Sequence, residues 1–309
     1  MDLSQAKPLL KKIPGLSQAR SLLRALRHSQ NPFLRSATPG HFYSPIPDIR
    51  YVRDHRSTLF ARDRTSCPGI DLGPQRQIGL VRGLASYYGE MPFPETKKEG
   101  LRYYFDNPYF GHGSSIVLYS LMRHFHPRRI VEVGSGFSSA AMLDVNDLFF
   151  GGDIPFTFIE PYPERLYSLL SVKDRERHHI IVESAQQVPP TVFGELESND
   201  ILFIDSSHVA KVGSDVVFLL TEILPALRTG VLVHIHDIYW PFEYPEDWVL
   251  RGTAWNEAYL VKAFLQFNSS FEILLFDSYL ALHHPDLMRE CLPQFLPDGG
   301  SSLWLRRIS

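Results

Sequence analysis

At 309 residues, with 44% hydrophobic and 13% aromatic content, the chain can bury a full core. One large domain with an N-terminal elaboration is expected, and a largely disordered chain is excluded. The net charge of −3 joins two unlike parts: residues 1 to 60 hold ten Lys and Arg against three Asp, which leaves an acidic body of about −10. With only Cys67 and Cys291, no apolar run of 18 residues and no uninterrupted apolar stretch at the N-terminus, no disulfide framework, zinc site, transmembrane helix or secretory signal is expected. A reducing, cytoplasmic setting fits.

Residues 1–40 read as a basic arm. Leu9 to Leu16 and Ala19 to Arg27 have the spacing of a basic amphipathic helix broken at Pro14-Gly15. The arm is read as a solvated segment packing its leucines on its own domain or on a second subunit; peripheral contact with a membrane surface or an acidic partner is the alternative, and a homo-oligomer is left open. Residues 41–112 read as an N-terminal cap. Within residues 30 to 70, prolines such as Pro45 and Pro47 push the preceding residue out of the α region, so an extended segment is expected. Helical apolar spacing follows from Gly79 to Tyr88 and from Ser114 to Phe125.

Residues 113–309 alternate strand and helix: strand 130–133, helix 138–149, strand 156–159, helix 163–171, strands 179–182 and 201–204, helix 212–228 and strand 231–236. Strands at 271–276 and 302–306 follow, joined by an irregular, Pro-rich link. Such alternation specifies a doubly wound α/β fold with a mostly parallel seven-stranded sheet covered by helices on both faces.

The most informative stretch is Ile130-Val131-Glu132-Val133-Gly134-Ser135-Gly136-Phe137-Ser138-Ser139, a buried strand ending in a glycine turn that opens a helix. Gly134 and Gly136 permit close backbone approach, and Ser138 to Ala141 let the helix pack tightly. Glu160 ends the next strand, 24 residues beyond Gly136, where a carboxylate can hold a ribose diol. Val131 to Ser139 resembles the first strand and turn of the class I S-adenosylmethionine-dependent methyltransferases. Nicotinamide folds more often carry Gly-x-Gly-x-x-Gly without an acid before the first glycine. The resemblance spans roughly the last two-thirds of the chain. It implies a Rossmann-like methyltransferase fold with a final antiparallel strand.

Ligands of open α/β sheets lie beyond the carboxyl ends of the strands, and five strand ends here carry polar residues. By the resemblance, S-adenosyl-L-methionine is the cofactor. Glu132 would orient its amine end, and Gly134, Ser135, Gly136 and Ser139 would form the turn against its methionine portion. Glu160 would hold the ribose, and Ser184 and Ala185 would flank the adenine. Glu132 can instead be a satisfied buried acid, paired for instance with Arg129.

Asp205 and Asp237 end adjacent strands. In the similar small-molecule O-methyltransferases of the catechol and macrolide-sugar types, acids at these ends bind a divalent ion. Asp205-Ser206-Ser207-His208 also resembles the macrolide-sugar and cephalosporin-hydroxylase-like branch, which implies His208 as general base beside Asp205. The catechol pattern has an acid before the last Asp or Asn, whereas this chain has His236 before Asp237. A site of Asp205, His236 and Asp237 would favour Mn²⁺, Fe²⁺ or Zn²⁺ over Mg²⁺. Otherwise His236 is a core histidine and Asp237 a cap.

The aromatic loop Ile238 to Trp248, continued by Arg251 to Glu257, reads as an acceptor wall or lid, or as packing or a dimer contact. Together these features point to methyl transfer to a hydroxyl of a small molecule or sugar, with an amine acceptor left open. Two rivals are a nicotinamide-dependent oxidoreductase and an inactive cofactor-binding assembly domain. No Tyr-x-x-x-Lys follows the fourth strand, which disfavours the first; the retained polar strand tips disfavour the second. The acidic body, together with the absence of an Asn/Asp-Pro-Pro-Tyr motif, argues against a nucleic-acid substrate.

Overall fold

The computed structural model describes residues 31–309; the basic stretch at residues 9–27 lies outside them. The described residues divide into two units, residues 31–59 with 249–254, and residues 60–248 with 255–309. In the smaller unit, short helices at Pro32–Ser36, Ile49–Asp54 and Arg56–Leu59 stand where an extended segment was expected. Asn31 and Asp48 cap the first two through their side chains, giving each helix a start that the proline count concealed.

The larger unit is built on seven strands: β1 (Ile130–Val133), β2 (Phe156–Ile159), β3 (His179–Ile181), β4 (Ile201–Ile204), β5 (Leu232–Ile235), β6 (Phe271–Phe276) and β7 (Leu303–Arg307). Their spatial order is β3-β2-β1-β4-β5-β7-β6. Neighbours from β3 through β5 pair in parallel, and β7 runs antiparallel between β5 and β6. β1, β4 and β5 are buried along their whole length, as strands covered on both faces must be. The fold is the doubly wound, mostly parallel one expected. Strand order reverses between β1 and β4, so a crevice opens there.

Four longer helices frame the sheet: α1 (Pro74–Tyr88), α2 (His112–Phe125), α3 (Phe137–Phe149) and α4 (Glu257–Leu265). α2 packs against both α1 and α3. Arg102 fastens the preceding segment to α3 by ion pairs to Asp144 at 2.8 Å and Asp147 at 2.8 Å, and reaches Asp174 at 2.6 Å.

Local chemistry altered several expected boundaries. The helix expected at 163–171 ends at Leu169, and a second one, Val172–Arg177, starts because Ser171 and Asp174 form a capping box. The helix expected at 212–228 runs from Asp215 to Ala226 through a π-helical turn, Leu219–Ile223, just before Pro225, which has no N–H to give. The link between β6 and β7 is not irregular: it folds into Asp277–His283 and Pro285–Cys291, the latter with its proline in the first turn. Among the described residues, no helix is long and apolar enough to cross a membrane.

Candidate active site

The turn after β1 is shaped by backbone proximity. Gly134 has φ +79°, and a Cβ there would fall 1.7 Å from the Asp205 carbonyl oxygen. No other residue lets the tips of β1 and β4 come this close. The turn's N–H groups are all committed: Gly134 donates to the Ile159 carbonyl at 3.0 Å, Ser135 to Glu160 Oε2 at 3.0 Å and Gly136 to Ser139 Oγ at 2.9 Å.

Glu132 lies beneath this turn, fully buried, and lines neither adjoining cleft. It accepts from Ser138 Oγ at 2.6 Å and from Ser139 Oγ, tying β1 to the first turn of α3. Burial pushes its carboxyl up to about 8, against the opposing pull of these hydroxyls. Arg129 pairs instead with Glu195. Glu160 ends β2 and accepts from the amides of Ser135 and, at 2.8 Å, Tyr162, leaving one lone pair on each oxygen.

Gly134, Glu160, Ser184, Ala185 and Asp205 line one cleft of about 440 Å³, walled further by Tyr162, Lys211 and Asp215. A second, of about 370 Å³, shares Gly134, Glu160 and Asp205 and extends over Ser135 and Gly136 to His208, His236 and Asp237. A third, of about 390 Å³, shares Tyr109, Phe110, His236 and Asp237 with the second and is walled by Tyr239 and Trp248. The three follow one another along the carboxyl ends of the strands. Of the aromatic loop, Tyr239, Trp248 and Trp255 line clefts, whereas Trp240, Phe242 and Tyr244 are buried in the core.

Where the clefts meet, Asp205, His208 and Asp237 each present a ligand atom within 4.8 Å of the others. His208 Nε2 lies 3.3 Å from Asp205 Oδ1 and 3.8 Å from Asp237 Oδ2. His208 Nδ1 meets Glu257 Oε2 at 2.8 Å. Burial would discharge His208, but its bonds to Asp205 and Glu257 outweigh this and raise its pKa to about 10. Burial likewise pushes Asp205 up, but the charges of His236, His208 and Arg165 hold it below the ordinary carboxylate range. For Glu257 burial prevails over the bond from His208 and raises it.

His208 and Asp237 both take left-handed backbone, φ +58° and +54°, which costs about 1–3 kcal/mol each in residues other than glycine. The carbonyl of His208 accepts the amides of Asn256 and Glu257 at 3.1 and 3.2 Å, binding the loop after β4 to the start of α4.

His236 lies outside the three-donor group. Its Nε2 is 3.5 Å from Ser301 Oγ and 3.8 Å from Asp237 Oδ1, and its ring sits 5.3 Å from that of Phe110. The sequence reading placed His236 with the two acids; the structure groups His208 with them, and His236 lines the same cleft 3.8 Å from Asp237. Glu257 was read only as the end of the aromatic loop, and its bond to His208 was missed. Its signal was the spacing of Ala258, Val261 and Leu265, which marks a buried helix face opening at an acid.

Residues 131–238 match the family model described as "Methyltransferase domain". An "Uncharacterized protein" of Archaeoglobus fulgidus is 36% identical over 166 residues, 53% of this chain and 75% of that one. The chain belongs to the class I S-adenosylmethionine-dependent methyltransferase family. Among solved structures, this methyltransferase is similar to the O-methyltransferase TomG from Streptomyces achromogenes in complex with SAM, at 15% identity and TM-score 0.42, over 84% of this chain and 96% of that one. It is also similar to "cmcI-D160 Mg-SAM", at 18% identity and TM-score 0.39, over 72% of this chain and 84% of that one. The Podospora anserina methyltransferase PaMTH1 bound to SAH is similar at 13% identity and TM-score 0.41, over 80% of this chain and all of that one.

Proposed function

We propose that this methyltransferase moves the methyl group of S-adenosyl-L-methionine to a hydroxyl of a small molecule or sugar, assisted by a divalent ion. The observation that carries the reading is the Asp205, His208 and Asp237 group at the junction of the glycine-turn cleft and the aromatic cleft. Glu160, Ser184 and Ala185 would hold the adenosine of the cofactor, Ser135 and Gly136 would line its methionine portion, and Tyr109, Tyr239 and Trp248 would flank the acceptor. Ser139 acts from beneath, through its hydroxyl on Glu132. The cofactor would supply the methyl group, and the alignment of acceptor and cofactor imposed by these residues would supply much of the rate.

Two carboxylates and an imidazole are a fitting donor set for Mg²⁺, Mn²⁺, Fe²⁺ or Zn²⁺, and Glu257 on the far ring nitrogen is the usual outer partner of a ligating histidine. Such an ion would lower the acceptor hydroxyl's pKa. Glu257 keeps the His208 ring fixed, and Trp255, with its ring 4.3 Å away, covers it from solvent. A second reading makes His208 the general base: Glu257 holds Nδ1, and Nε2, facing Asp205, takes the acceptor's proton once it has lost the one that Asp205 and Glu257 stabilise.

Calorimetric titration with S-adenosylhomocysteine, with and without Mg²⁺ or Mn²⁺, tests the reading. Micromolar affinity, about −8 kcal/mol, that Glu160→Ala abolishes is expected; a folded protein that binds nothing refutes it. Turnover of a hydroxylated acceptor by His208→Ala separates the two roles. Recovery at high metal identifies a ligand, and a kcat deficit that metal does not relieve identifies the base.

A further inference from the structure

The geometry points to Arg165 as the residue that binds the α-carboxylate of the cofactor's methionine portion, held in place by the face of Tyr109. This inference rests on the cofactor assignment above.

Among the described residues lining the second cleft, Arg165 is the only Lys or Arg. It stands on the short helix Glu164–Leu169 after β2, directly over the glycine turn. A Cβ on Gly136 would lie 3.1 Å from Arg165 Cδ and 3.9 Å from its Nη1. Its guanidinium carbon sits 3.7 Å from the centroid of the Tyr109 ring, and that ring stacks at 5.9 Å on Phe137, the first residue of α3. A stacked guanidinium keeps its edge N–H donors free, in the fork that matches a carboxylate. Among the described residues no acid pairs with it.

The surroundings call for such a cation. Glu160, Asp205 and Asp237 line the same cleft and repel an incoming carboxylate. The amides of Gly134, Ser135 and Gly136 are already bonded within the protein, so these three have none to offer. The turn supplies shape and Arg165 the positive charge. Because Tyr109 precedes α2 and Arg165 follows β2, the clamp forms only when two distant parts of the chain meet.

The experiment compares two ligands on the full-length protein. S-adenosylhomocysteine carries the amino-acid portion; 5′-methylthioadenosine keeps the adenosine and sulfur without it. Arg165→Ala should weaken S-adenosylhomocysteine about 10- to 100-fold, the loss of one charge-assisted contact, while leaving methylthioadenosine within twofold. Arg165→Lys should recover part of the loss. Tyr109→Phe, which keeps the ring face, should bind like the native protein, whereas Tyr109→Ala should follow Arg165→Ala. Unchanged S-adenosylhomocysteine affinity in Arg165→Ala overturns the assignment, as do equal losses for both ligands, which would mark a purely structural residue. If the native protein binds neither ligand, the cofactor reading itself fails and the clamp with it.

Discussion

Glu132→Gln should change how stability depends on pH more than it changes the fold. Glu132 is fully buried, and burial raises its carboxyl from an ordinary 4.5 to about 8. Over that interval the folded protein holds a proton that the unfolded chain releases, so stability falls as pH rises. The loss begins near the unfolded value and levels off above the folded one. At about 1.4 kcal/mol per unit, the displacement from 4.5 to 8 amounts to about 5 kcal/mol in full, of which roughly 2–3 kcal/mol falls between pH 6 and pH 9. Glutamine has the same shape, still accepts one serine hydroxyl and carries no proton to lose. The protonated acid already donates its O–H to one serine oxygen, and the new amide takes over that bond; since Ser139 Oγ already accepts from Gly136 N–H, Ser138 is the one expected to accept. The amide's second N–H, which the acid lacks, costs about 1 kcal/mol. Urea unfolding followed by circular dichroism from pH 6 to pH 9 reads the difference. The native protein should lose stability relative to the variant across this range, and the variant should be the more stable at the alkaline end. Parallel profiles would mean that Glu132 carries no displaced proton, and the argument from burial would fail.

Two further substitutions test the frame of the site. Gly134→Ala places a methyl group 1.7 Å from the Asp205 carbonyl on a backbone at φ +79°; the left-handed conformation alone costs about 1–2 kcal/mol. It should lower the urea midpoint and abolish S-adenosylhomocysteine binding, and native affinity in the variant would contradict the close approach of β1 and β4. Arg102→Met removes the partner of Asp144 and Asp174, whose side chains are only 1% and 4% exposed, and should cost about 3–5 kcal/mol in thermal unfolding; a loss below 1 kcal/mol would show that the cluster carries little stability.

The sequence by itself determined what depends on neighbours in the chain. Val131 to Ser139 specifies a buried strand, a glycine turn and a helix, because apolar runs and glycines act within a few residues. The five parallel strands and their polar tips were legible for the same reason, and so were the positions of Glu160, Asp205 and Asp237 at strand ends. Only the tertiary structure decided what those tips meet. Glu257 reaches His208 across 49 residues because α4 docks on the His208 carbonyl. Tyr109 and Arg165 face each other across 55 intervening positions. His208 completes the three-donor group with the two acids, and both His208 and Asp237 take left-handed backbone, which no periodicity announces. Periodicity records which face of a strand or helix is buried; it holds no record of which distant loop closes over the end. The candidate site lies at such ends, so the glycine turn was readable from the chain and the constellation around it was fixed by packing.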